Sequence, residues 1–137
     1  MWWIFALLSA FFAALTAIFA KIGIKGVDTD LATAIRTVVI LILAWGIAFF
    51  RGGAATMSSL TKQNIIFLCL SGIATGLSWI FYFKALQIGK VSQVAPVDKM
   101  SVAIAIILAV VFLGEPLTWK TAIGALLIIG GSVVLIL

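Results

Sequence analysis

Long apolar runs broken by short polar connections dominate this chain. Met1 to Ala20 carries no charge, nor does Gln63 to Phe83, and Thr121 to Leu137 is uncharged to its last residue. A bilayer core of about 30 Å takes roughly 20 such residues in a helix. Two further stretches are long enough but carry charge within them: Leu31 to Phe50 contains Arg36, and Val91 to Leu113 contains Asp98 and Lys99. The pattern predicts five transmembrane helices, about 2–22, 31–50, 64–84, 91–113 and 118–137, in a single all-α membrane domain over 1–137. The connections at 23–30, 51–63, 85–90 and 114–117 leave no room for an aqueous domain.

Composition agrees with that pattern. Of 137 residues, 65% are hydrophobic and 9% charged, whereas a soluble domain carries about 25% charged residues. So little polar surface cannot cover an aqueous globule, and the lipid bilayer is the expected surrounding. The net charge of +5 would suggest nucleic acid in a soluble protein; here no basic patch stands clear of the apolar spans, so nucleic-acid binding is not expected. With one cysteine, Cys69, and no histidine, an intrachain disulfide and the usual metal clusters are both unavailable. No phosphate-binding glycine loop, dinucleotide fingerprint or nucleophile–base pair occurs, so neither an enzyme nor a cofactor is expected.

The N-terminal run lacks a basic leader and is longer than the apolar core of a signal peptide, so it is expected to be a retained span rather than a cleaved signal. Trp2 and Trp3, like Trp45 and Trp119 near other span ends, suit interfacial anchors. Five spans place Arg51, Lys62 and Lys120 on the N-terminal side and Lys21, Lys25, Lys84 and Lys90 on the other. Lysine and arginine in short loops set orientation, and three against four is almost no bias. Either the chain inserts both ways, a dual topology, or something beyond this count decides.

Charges inside a span cost about 2.5–3.5 kcal/mol each on insertion scales, which makes them functional candidates. Asp98 and Lys99 lie roughly 12–14 Å beyond Lys90, near the midplane, and Arg36 lies about 9 Å beyond Asp30 from the same side. The second and fourth spans run in the same direction, so Arg36 and Asp98 are expected to pair, leaving Lys99 to face a cavity. The alternative is one buried ion cluster that only pins helix register. Pro96, two residues before Asp98, favours the first reading, because broken helices with freed carbonyls often line transport sites.

On the third span Ser71, Thr75, Ser78 and Tyr82 follow helical spacing and share a face, with Trp79 at its border. This stripe suits a wet cavity for a partly apolar solute; alternatively the hydroxyls bond their own helix or a neighbour, worth about 0.6 kcal/mol in a membrane. Thr16 and Ser9 on the first span would join the same cavity. Gly72 and Gly76 form a small-xxx-small pair, and Gly124 and Gly131 line the last span beside Gly130 and Ser132; for that span a dimer contact is expected.

The run from Ala85 through Leu86, Gly89, Lys90, Ser92 and Ala95 to Pro96, the segment Phe112-Leu113-Gly114-Glu115-Pro116 and the glycine-rich closing helix from Gly124 resemble the EamA domain of the drug/metabolite transporter superfamily. The likeness is close over about 65–137. The first two spans match mainly in length, hydropathy and the texture around Phe11 to Gly23. Most members resemble two five-helix units in inverted tandem, and this chain supplies one. The resemblance therefore implies half of an inverted-repeat fold, working as a homodimer; the weak loop bias fits an antiparallel pair, with two Lys99 ammoniums around one midplane cavity. It further implies a multi-pass protein of the prokaryotic inner membrane and secondary, non-ATP transport of a small metabolite by alternating access.

The related small multidrug exporters use an intramembrane glutamate for cations and protons. Here Asp98 stands against Arg36 and Lys99, an excess of one positive charge, so a carboxylate-bearing or zwitterionic solute is expected over a lipophilic cation. Proton coupling through a desolvated Lys99 is a second expectation. Gly114 and Glu115 are expected to form the last turn, with Pro116 early in the last helix and Glu115 favouring its positive end; a gating contact for Glu115 is the sharper alternative. Competing readings of the whole chain are a non-transporting or heteromeric partner subunit of a flippase or transporter, a pore, and a purely structural membrane protein.

Overall fold

The computed structural model describes all residues, 1–137, and contains only helices and their connections. Five segments are long and apolar enough to cross a membrane: Trp2–Gly23 (α1), Thr29–Phe50 (α2), Lys62–Ile88 (α3), Val91–Leu113 and Trp119–Ile136. The fourth is divided into α4 (Val91–Asp98) and α5 (Ser101–Leu113), and the last helix is α6. The residues fall into two compact units whose boundaries lie within α1 and at the end of α3: Ala20–Gln87, and Met1–Phe19 together with Ile88–Leu137.

In the central unit, α2 starts where Asp28 ends the connection from α1. Its Oδ1 accepts from the amides of Asp30 and Leu31 at 3.0 and 2.9 Å, a side-chain cap worth about 1 kcal/mol. The helix runs to Phe50 because nothing in its apolar interior breaks it. It ends at Gly52, whose φ of 73° is left-handed and cheap only for glycine. A 3-10 helix, Gly53–Ser59, fills the connection to α3. The third helix continues to Ile88, past the expected end at 84, because Ala85, Leu86 and Gln87 favour helix and no breaker occurs before Gly89. At 27 residues it is longer than the ~30 Å hydrocarbon core requires, so it tilts or projects beyond the core.

Buried side chains of this unit gather where the end of α1, the start of α2 and the end of α3 meet: Ala20, Ile24, Thr29, Thr33, Phe83 and Leu86. Two polar tethers hold the same region. Lys21 Nζ donates to the carbonyl of Leu86, and Gln87 Nε2 donates to the carbonyl of Val27 at 3.0 Å. The rest of α2 and α3 turns its large apolar side chains outward, as expected where lipid is the solvent and gives helices no hydrophobic reason to associate.

In the other unit α6 packs against α4 and α5. Ser132 is buried, and its hydroxyl lies 2.9 Å from the carbonyl of Pro96 and 2.7 Å from that of Ile128, sharing its proton between them. The break in the fourth span corrects a detail of the sequence reading. Pro96 lies inside α4, and the interruption comes after it at Lys99–Met100. The bond Pro96 cannot make is the one to the Ser92 carbonyl, a turn earlier; the interruption itself is a run of tighter i→i−3 steps, Met100 to Val97, Val102 to Lys99 and Ala103 to Met100. The Pro96 carbonyl takes the Ser132 hydroxyl as its partner.

The final turn corrects another. Gly114 ends α5 with a φ of 67°, as its place in the turn requires. Pro116, however, lies outside the helix, because α6 is capped by Thr118, whose Oγ1 accepts from the Thr121 amide at 3.2 Å. Glu115 consequently stands before the cap and not in the first turn of α6, where its charge would have met the helix dipole.

Candidate functional site

Arg36 and Asp98, expected as a pair, belong to different units, and each has a distinct setting within its own. Arg36 is placed by α2 on a stripe with Thr29 and Thr33, spaced one helical turn apart. Both threonines are buried. Thr33 Oγ1 donates to the Thr29 carbonyl at 2.8 Å, and Thr37 Oγ1 likewise to the Thr33 carbonyl, so these hydroxyls are spent on their own helix. The Arg36 guanidinium carbon lies over Phe83, 4.3 Å from the ring centroid, and 5.2 Å from the centroid of Trp79. Phe83 and Trp79 are one turn apart on α3 and form one aromatic wall. A desolvated cation on such a ring gains about 2 kcal/mol, which offsets much of the insertion cost of the arginine. The rings offer π density but no lone pairs, and Nη1 is buried without a hydrogen-bond partner. Leaving a buried donor unmet costs about 1–3 kcal/mol.

In the other unit Lys99 Nζ donates to Asp98 Oδ2 at 3.2 Å. The two residues are adjacent at the joint between α4 and α5, so their pairing needs no neighbouring helix. Lys99 is nevertheless 58% exposed on the protomer, about 12 Å along a segment long enough to span. On insertion scales a charge at that depth costs about 2.5–3.5 kcal/mol against hydrocarbon. Thr16 is half-buried in the same unit, and Ser9 is exposed.

The polar stripe on α3 divides. Thr75 donates to the Ser71 carbonyl at 2.8 Å, so its one proton goes to its own helix. Ser71 and Ser78 are exposed, whereas Trp79 and Tyr82 are half-buried, with the Tyr82 ring 5.8 Å from that of Phe83. Trp79 and Tyr82 thus stand beside Arg36 in one aromatic cluster. Phe83 and the Thr29–Thr33 stripe were not singled out from the sequence. The spacing of Trp79, Phe83 and Leu86, and that of Thr29, Thr33 and Arg36, was the available signal. A Cβ added at Gly72, Gly76, Gly124 or Gly131 would meet nothing within 4 Å, so these small-residue faces are open on the protomer.

The model of the EamA-like transporter family matches residues 1–137. A Sinorhizobium sp protein called "Uncharacterized transporter in cobO 3'region" is 46% identical over 134 residues, covering 98% of this chain and 95% of that protein. No solved structure matches the chain.

Proposed function

The chain belongs to the EamA-like transporter family and is a multi-pass membrane transporter, and on that premise we propose that it moves a small metabolite by alternating access as a homodimer, without ATP. The observation that carries the proposal is the broken fourth span. Its joint holds the Asp98–Lys99 pair, and Lys99 is exposed within a segment that must cross the bilayer. Discontinuous helices supply solute sites near the midplane in transport folds. A second copy, inverted with respect to the first, would enclose the two Lys99 groups in a shared aqueous cavity. The nearly balanced basic residues of the loops favour such an antiparallel pair, and the open faces of Gly124 and Gly131 give its helices room to approach.

The excess of positive charge favours a carboxylate-bearing or zwitterionic solute, and coupling to protons is proposed to drive its movement. The prokaryotic inner membrane is the proposed location. The rival, a heteromeric partner subunit, would show one fixed orientation. Single cysteines placed in the 51–63 loop of a Cys69→Ser protein test this directly. Labelling from both faces of the membrane is the expected result; labelling from one face only would sink the antiparallel homodimer.

A further inference from the structure

We infer that Arg36 is the receptor for an oxyanion, and that this oxyanion is the carboxylate of the solute. A guanidinium carries five N–H donors in a planar fork. Phe83 and Trp79 compensate its charge but cannot accept its hydrogen bonds conventionally, and Nη1 is buried with no partner. Thr33 and Thr37 donate to their own helix, and Nη1 has no partner among the groups around it. Arg36 as a whole is only half-buried, and the unmet Nη1 lies on its buried side. Lys99 has Asp98 at 3.2 Å; the unmet cation is Arg36.

A carboxylate matches the fork with two parallel hydrogen bonds, which a spherical anion or a neutral carbonyl does not. The aromatic wall of Trp79 and Phe83 adds a flat apolar surface on which the body of the same solute can lie. The ligand class is therefore a small organic acid, with a planar or apolar body preferred. A phospholipid phosphate offers the same acceptor chemistry and is the competing source. Assigning the ligand as solute rests on the transport reading; the anion site itself does not.

Trp79 reports on the site, and replacing Trp2, Trp3, Trp45 and Trp119 by phenylalanine leaves it as the single tryptophan, excited selectively at 295 nm. The probe is 4-nitrobenzoate, a carboxylate that quenches indole, compared with its neutral counterpart 4-nitrobenzyl alcohol. The acid is expected to quench saturably and the alcohol only in proportion to concentration, with benzoate but not benzyl alcohol reversing the acid's effect. Arg36→Gln should weaken the acid about tenfold or more, and Arg36→Lys, which keeps charge without the fork, by less. If Arg36→Gln fails to fold, the benzoate competition in the Arg36 protein decides alone.

Equal quenching by acid and alcohol, or undiminished acid binding by a folded Arg36→Gln protein, would overturn the inference. Displacement of the probe by phosphatidylglycerol added to neutral-detergent micelles, with no competition from benzoate, would overturn it in favour of a lipid headgroup. Flux of labelled acids without Arg36-dependent binding would refute this site and leave the transporter standing. Arg36-dependent binding without any flux would do the reverse.

Discussion

Arg36 and Lys99 are both cations within membrane-spanning segments, yet the protein accommodates them in opposite ways. Arg36 lies in the most closely packed part of its unit, over Phe83 and Trp79, with buried threonines on its own helix and one donor unmet. Lys99 stands at a helix joint, exposed, and satisfied by the residue before it. The first arrangement fixes a charge and leaves one of its buried donors unmet. The second neutralises a charge locally, where the helix bonds tighten to i→i−3 steps.

That contrast can be broken in order of decreasing effect. Lys99→Ala should abolish flux while the amount of inserted protein stays unchanged, as measured by uptake into proteoliposomes of matched protein content; wild-type flux would remove Lys99 from the mechanism. Phe83→Ala should be the most destabilising of the substitutions considered. Phe83 is 1% exposed, and truncating a buried phenylalanine costs on the order of 3 kcal/mol, to be read from denaturant unfolding in micelles. Thr118→Ala removes the cap of α6 and should cost about 1 kcal/mol in the same assay. Ser132→Ala removes the bond to the Pro96 carbonyl and should cost about 0.6 kcal/mol, the average for such bonds in a membrane. A Ser132 effect as large as that of Phe83 would show that the jointed unit is held as firmly as the aromatic one, and the contrast would fail.

Much of the fold was legible because the bilayer imposes it. Every span must satisfy its own backbone, so apolar length alone located the five crossings, and their number agrees with the structure. The ends were less legible because they depend on single side chains. Thr118 caps α6 where Pro116 was expected early in the helix, and Lys84 looked like an end although α3 runs on through Ala85 to Ile88. The fourth span illustrates the same limit. Pro96 marked a weakness in the helix, but the ladder gives way at Lys99–Met100, where the tighter hydrogen bonds accumulate.

Charges and aromatics at the candidate site were legible singly. Arg36 was visible as an intramembrane cation, but the rings beside it were not. Depth says nothing about which face of a helix a side chain takes or which rings lie beneath it. The repeat of Trp79, Phe83 and Leu86 on α3 held that information only once α3 was known to pack there against α2 through Arg36.

Uptake into proteoliposomes, comparing labelled amino and carboxylic acids with tetraphenylphosphonium, tests the central claim most directly. The account predicts that an acid enters through the wild-type protein, that Lys99→Ala and Arg36→Gln each stop it, and that the lipophilic cation does not enter. Uptake of tetraphenylphosphonium, or uptake of the acid undiminished by either substitution, would contradict it.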